Sequence, residues 1–194
     1  MNKDRRLRAL AWLDSFRQHF DGLIDEKTMV KILEGWDKVD ESSKEELSAW
    51  LKGVVHRLDT LVDEPTRKQL MERCGHECAD MNNAVKSAVD KRRQFASLDE
   101  YLEAEQQAGY TGYRVEREGQ ILYVYYTPGD MGQRCYCSLW HGLQDNETAS
   151  PTWCNCSRSH VERIWSGVLE KQVKVDLLES RITGAQECKF AVHL

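Results

Sequence analysis

The feature that most constrains the fold is a change of hydrophobic period near residue 109. Before it, residues 5–108 repeat apolar side chains at helical spacing, most regularly over 47–61, where Leu, Trp and Val recur three and four positions apart. After it, segments 113–117 and 120–127 are rich in tyrosine and β-branched residues, which favour strands. We therefore expect an α+β fold, with a helical N-terminal half packed on a twisted antiparallel sheet.

Capping signals divide the helical half into separate helices. Asp25 is placed to cap the second helix, and Ser42 with Glu45 forms a capping-box pattern for the third. Another helix opens at Ser97, and Gly109 ends it. The chain then divides into a helical region, 1–108, and a cysteine-rich α+β ligand-binding region, 109–194, which we expect to form one compact unit.

Three further elements are predicted in the second region. A third strand over 134–140 would carry its two cysteines on one face of the sheet. Ser157 or Ser159 is expected to cap an amphipathic helix. Alternating apolar residues then predict strands over 173–177 and 188–194.

Composition excludes several classes of function. The chain has 194 residues, 27 basic and 32 acidic, giving a formal charge of −5, which gives no support for a nucleic-acid surface. No apolar run approaches the ~18–20 residues of a membrane span, and no signal-peptide pattern is visible, so we expect a cytoplasmic protein without membrane contact. A small-molecule ligand is the expected partner. The oligomeric state is open, with a homodimer among the alternatives.

Six of the seven cysteines occur as closely spaced pairs. These candidate metal ligands are Cys74 and Cys78, Cys135 and Cys137, and Cys154 and Cys156. Because structural disulfides are rare in the cytosol, such pairs point to metal ligation or redox chemistry. Convergence of the pairs on zinc or an iron–sulfur cluster is one interpretation. The other is that they are reduced, half-buried thiols that pack as small apolar residues.

The pair at 154–156 also has a catalytic interpretation. It precedes a predicted helix, whose amide donors and dipole should lower the pKa of Cys156 below the free value of about 8.5. His160 lies one turn beyond and could act as a general base or a further metal ligand. An activated thiol here could also serve in thiol–disulfide or peroxide sensing. Four tyrosines could line an aromatic pocket or simply pack: Tyr113, Tyr123, Tyr125 and Tyr126.

The order of residues after 153 resembles a known group of domains. It contains Trp-Cys-Asn-Cys-Ser at 153–157, Trp-Ser-Gly at 165–167, and a closing Cys-Lys-Phe-Ala-Val at 188–192. This pattern, over about 40 residues, resembles the C-terminal part of four-vinyl-reductase-type small-molecule-binding domains. It is also similar to cysteine-rich proteins of unknown function that are grouped with aminothiazoline-carboxylate hydrolase-like proteins.

The resemblance implies a fold shared in outline with haem–nitric-oxide-binding domains, in which helices and a sheet enclose an apolar ligand pocket. It extends to Cys154, Cys156 and Cys188. Two functions follow as expectations. The first is a metal-binding domain with a small-molecule pocket and a ligand-binding or sensor role. The alternative is a metal- or Cys-dependent hydrolase of a small heterocycle such as an aminothiazoline carboxylate, with Cys156 and His160 as catalytic residues.

Overall fold

The computed structural model describes residues 3–108 and 113–194, apart from the side chains of 3–10, 41 and 108. Its α-helices in that part of the chain are α1 (Lys3–Gln18), α2 (Glu26–Ile32), α3 (Lys44–Leu61), α4 (Glu64–Met81), α5 (Ala84–Arg92), α6 (Leu98–Ala108) and α7 (Cys154–Val168). The strands are β1 (Arg114–Glu118), β2 (Ile121–Tyr126), β3 (Lys174–Glu179) and β4 (Cys188–His193). The α+β class is therefore confirmed. None of these described helices combines the length and apolar character needed to cross a bilayer.

The helix N-termini follow the capping signals with one shift. Asp25 caps α2 by accepting a hydrogen bond from a backbone N–H of the first turn. The capping box predicted for α3 is wrong by one residue: Ser43 and Glu46 form it, not Ser42 and Glu45. Ser42 instead donates its hydroxyl hydrogen to a carbonyl of the preceding turn, at 2.8 Å. The sequence contains two overlapping Ser-x-x-Glu patterns, one starting at Ser42 and one at Ser43. Because Ser42 is hydrogen-bonded to the preceding turn, Ser43 forms the capping box.

The start of α6 agrees with its sequence signal. The backbone N–H of Glu100 donates to the Ser97 hydroxyl at 3.2 Å, and the Glu100 carboxylate accepts from the backbone N–H of Ala96 at 3.0 Å. The predicted helix end at Gly109, and with it the division between the two regions, lies outside the described residues.

The sheet is antiparallel throughout and has the strand order β1-β2-β4-β3. On β2, Leu122, Val124 and Tyr126 face the helices, where they join a core formed with α5, α6 and α7. The alternate residues Tyr123 and Tyr125 lie on the opposite face. The sheet thus has one face covered by helices, as expected for a helical half packed on a sheet.

The strand predicted over 134–140 is wrong. The chain there is irregular and ends in a 3₁₀ turn, Ser138–Trp140. In a meander, a strand after β2 would pair with an edge of β2. Both edges of β2 are already paired, one with β1 and the other with β4. The apolar residues of this segment are buried elsewhere: Leu139 and Trp140 belong to the core that α1, α3 and α4 form.

Helix α7 connects the two cores. Its first turn contributes Cys154 and Cys156 to the α1–α4 core, and its later turns contribute Ile164 and Trp165 to the core beneath the sheet. The helix begins at Cys154, so the predicted caps Ser157 and Ser159 are wrong and lie inside it. It starts earlier because a 3₁₀ turn, Pro151–Trp153, leads directly into it.

Close contact between α4 and α7 depends on Gly75. A Cβ atom added there would lie 2.8 Å from the Cβ of Ser159 and closer still to the carbonyl oxygen of Cys156. Only a residue without a side chain allows the two backbones to approach this far.

Gly75→Ala should therefore destabilise the protein by about 2–3 kcal/mol, because the backbones must separate to admit one methyl group. The matched control is Gly53→Ala in α3, where the added Cβ meets no backbone and lies 3.1 Å from the Nη1 of Arg57. Alanine's higher helix propensity should make that variant up to ~1 kcal/mol more stable. Urea unfolding of both variants measures the difference, and equal stabilities would contradict the close-approach argument.

Candidate functional site

A cavity of about 530 Å³ opens between α4, the start of α7, the inner face of β2 and the irregular segment 131–141. Its lining residues are Trp12, Cys78, Asn82, Ala84, Tyr113, Tyr126, Met131, Gln133, Tyr136, Cys137, Ser138, Leu139, His141, Trp153, Cys156, Ser157 and His160. The volume falls within the range of small-molecule sites in proteins.

Three tyrosine rings form one wall. Tyr113 stacks on Tyr126 with ring centroids 4.2 Å apart, and Tyr136 lies 5.3 Å from Tyr126. Burial raises the pKa of Tyr126 well above its ordinary value, and the neighbouring Tyr113 raises it further. Burial also raises the pKa of Tyr113, so both stacked rings are uncharged at neutral pH. Of the four tyrosines considered from sequence, Tyr113 and Tyr126 line the cavity.

The other two tyrosines lie on the open face of the sheet. The guanidinium of Arg114 lies 3.6 Å above the ring of Tyr125, and the ammonium of Lys189 lies 4.4 Å above that of Tyr123. These cation–π contacts cover the rings with charged groups. Tyr123 and Tyr125 do not line the cavity, and Tyr125 is itself buried beneath Arg114.

Among the described residues, none of the side chains that line the cavity is Lys, Arg, Asp or Glu. Its polar groups are hydroxyls, amides, thiols and two imidazoles. A charged ligand would lose its hydration here without gaining an opposite charge, which is costly in an apolar environment. The cavity therefore favours uncharged molecules.

Cysteines from three segments meet at this cavity. Cys78 comes from α4, Cys137 from the irregular segment and Cys156 from α7. Cys135 lies behind Cys137, whose backbone N–H donates to the Cys135 sulfur at 3.4 Å. The structure thus brings together four of the six predicted metal ligands.

The other two predicted ligands do not line the cavity, although Cys74 lies close enough to raise the pKa of Cys156. Cys74 is fully buried in the α1–α4 core. The sulfur of Cys154 lies 2.9 Å from the hydroxyl of Ser180, on the side of the sheet. Cys188, at the start of β4, accepts the backbone N–H of Arg181 at 3.4 Å. All seven cysteines are free thiols.

The expected activation of Cys156 is wrong. Burial raises the pKa of its thiol well above the ordinary value, and the nearby Cys78 raises it further. Burial likewise raises the pKa of Cys135 to about 12. The sequence placed Cys156 just before a helix, whereas it lies in the first turn of α7, and the helix dipole does not offset the loss of solvent there. The thiols are protonated at neutral pH, which removes the basis for thiolate-dependent sensing.

No group of three or more His, Cys, Asp or Glu side chains within residues 3–108 and 113–194 is placed to hold a metal ion. The three cavity thiols and Cys135 behind them are neighbours, but a tetrahedral ion would require them to move closer together. Zinc or iron–sulfur binding by these cysteines therefore stays a prediction.

His160 lies on the same cavity wall as Cys156, one helical turn away. Burial lowers the pKa of its imidazole to about 4, so the ring is neutral at pH 7. A neutral imidazole can act as a base, but its thiol neighbour is also neutral, and the described part of the lining offers no cationic group for a carboxylate substrate. The hydrolase alternative stays a prediction.

Sequence reasoning missed several lining residues. Trp12 and His141 come from segments that carry no recognisable binding motif, and Tyr136 and Trp153 lie beside the marked cysteines without having been expected in the lining. Their convergence depends on how the irregular segment folds back against α1 and α7. Only the cysteine in Cys-Tyr-Cys at 135–137 marked that segment in advance.

These features define a cysteine-rich α+β protein with an uncharged, aromatic-walled cavity. Residues 14–194 match the model of a family of unknown function, DUF6144, and the chain belongs to that family. The match spans both the helical region and the sheet. No curated protein matches the chain.

The lowered pKa of His160 predicts a loss of stability in acid. The unfolded chain takes up a proton near pH 6.5, whereas the folded ring resists protonation down to about pH 4. The unfolded state thus binds more protons, so this stability is present above pH 6.5 and declines as the pH falls towards 4. Acidification between those limits lowers the free energy of unfolding of the unmodified protein. In His160→Gln this decrease should be smaller by on the order of 2–3 kcal/mol.

Urea unfolding at pH 7, 5.5 and 4.5 provides the measurement. His56→Gln, which changes an exposed histidine of α3, is the matched control and should follow the unmodified protein. Parallel acid curves for His160→Gln and the unmodified protein would show that His160 is not held neutral.

Proposed function

We propose that this protein is a small-molecule-binding domain with a ligand-binding or sensor role in the cytoplasm, and that its ligand occupies the cavity between α4, α7 and β2. The single observation that carries the proposal is the cavity's lining: aromatic rings and neutral thiols, with no charged side chain among the described residues. Such linings bind by apolar contact, with a few polar groups fixing orientation.

The expected ligand is uncharged and mostly apolar. Burial of apolar surface contributes roughly 25 cal/mol per Å² removed from water, which favours a molecule that fills the space between the tyrosine wall and Trp153. Cys78 and Cys137 offer polarizable sulfur to such a molecule without requiring a charge on it.

We further infer a fold of the four-vinyl-reductase type. Helices packed on one face of an antiparallel sheet, with a pocket between them, support this inference. The resemblance at 153–192 supports it as well. Because fold alone does not define chemistry, it adds no assignment of hydrolase activity.

Filling the cavity should abolish binding. The probe is N-phenyl-1-naphthylamine, an uncharged dye that fluoresces in apolar sites. With the unmodified protein, dye fluorescence should rise and saturate as expected for one site. Ser157→Phe should weaken the affinity for the dye at least about tenfold, because the new ring occupies the ligand's volume and overpacking is costly.

Ser166→Phe is the control, since it makes the same change in the same helix but faces a separate cleft with Arg163 and Lys171. It should bind the dye like the unmodified protein. Dye binding that is absent in all three proteins, or equal in all three, would refute the proposed function.

A second proposal, metal binding, rests on a different observation: thiols from three segments converge on one cavity. Cys78, Cys135, Cys137 and Cys156 would supply the ligands for zinc or an iron–sulfur cluster after deprotonation, which releases protons as the metal binds. Soft thiolate ligands favour these metals over magnesium or calcium.

Protein purified without oxygen should then contain about one or more equivalents of zinc or iron, the latter with labile sulfide. Replacing Cys78 and Cys156 together by serine should lower the content by at least about tenfold. Replacing Cys188, which is outside the four proposed ligands and accepts the backbone N–H of Arg181, should leave the metal content unchanged. Metal-free protein in which all seven thiols titrate as free would end this proposal.

A further inference from the structure

His160 is a polar group in the cavity wall, and one of its two ring nitrogens has no hydrogen-bond partner. Its Nδ1 atom is buried and has no hydrogen-bond partner. The ring itself lines the cavity. A buried polar atom without a partner normally costs about 1–3 kcal/mol, so its presence in a binding cavity calls for a physical reason.

The imidazole is available as a neutral hydrogen-bonding group. Burial holds its pKa at about 4, so at pH 7 one ring nitrogen carries a hydrogen and the other accepts. Rotation about χ2 exchanges the places of nitrogen and carbon atoms around the ring, so either nitrogen can be turned towards the cavity. The ring can therefore accept one hydrogen bond from a bound molecule without rearrangement of α7.

The rest of the wall selects for a flat ring system. Tyr113, Tyr126 and Tyr136 present their faces and edges within 4.2 to 6.0 Å of one another, the spacing at which aromatic rings attract each other. Trp153 extends the aromatic lining near the start of α7. An aliphatic molecule would gain apolar burial here but no ring-to-ring contact.

Resting on the proposed function, we infer that the ligand is an uncharged aromatic molecule with one O–H or N–H group, and that His160 positions it by accepting a hydrogen bond from that group. Phenols and indoles have this chemistry. The tyrosine wall holds the ring, and His160 fixes which edge of the ring points to α7.

The experiment compares phenol with toluene, which has the same shape but no O–H, by ligand-observed NMR titration at pH 7. The unmodified protein should bind phenol roughly tenfold more tightly than toluene, because only phenol satisfies the imidazole. In His160→Phe the preference should disappear while toluene binding is kept. His160→Gln, which restores an acceptor, should recover part of the preference.

His56→Phe is the matched control, since His56 is exposed on α3 and lies outside the cavity lining, so its replacement should leave the preference intact. Should His160→Phe fail to fold, the unmodified protein provides a second readout: the ¹⁵N shifts of the His160 ring should change with phenol and not with toluene. Benzoate should bind at least tenfold more weakly than phenol, since no cationic side chain lines the described cavity.

The outcomes separate the two proposals. If both phenol and toluene bind equally well, or if the preference survives in His160→Phe, the role of His160 is wrong and the small-molecule site stands. If neither binds and N-phenyl-1-naphthylamine also fails to bind, the proposed function itself is wrong, and the inference is overturned with it.

Discussion

The close approach of α4 and α7 is the contact on which the arrangement of this protein depends. The absence of a side chain at Gly75 brings the α4 backbone against the carbonyl oxygen of Cys156. Because α7 also packs on the sheet, this one crossing fixes the helical core relative to the sheet core. It also places Cys78 and His160 at the same cavity, although they are distant in sequence.

Ion pairs reinforce the same crossing at the edge of the core. Arg158, buried in α7, pairs with Glu72 of α4, and its Nη1 donates to Glu162 of its own helix at 2.7 Å. The two Nη atoms of this buried guanidinium donate to two carboxylates and to the Ser159 hydroxyl, whereas its Nε has no hydrogen-bond partner among the described residues. Replacing one of the carboxylates would leave part of the buried charge of Arg158 unpaired. The three charged groups together specify how α4 and α7 align more than they add net stability.

Low polarity gives the cavity its chemical character. The same loss of solvent raises the pKa of the Cys156 thiol, lowers that of the His160 imidazole and keeps Tyr126 neutral. All three effects have burial as their largest cause, and each disfavours the charged form. A site of this kind suits recognition of a neutral molecule better than chemistry that needs a thiolate at neutral pH.

The sequence by itself determined the class of fold and most elements, because hydrophobic period and capping are local properties of neighbouring residues. The strands β1 to β4 and the cap at Asp25 follow from such signals. It also marked the cysteine pairs as unusual. Only the tertiary structure decided that 134–140 is no strand, since the edges of β2 were taken by β1 and β4. Tertiary structure likewise decided which cysteines meet and that their thiols are neutral, because burial and the partners of each sulfur depend on residues far along the chain.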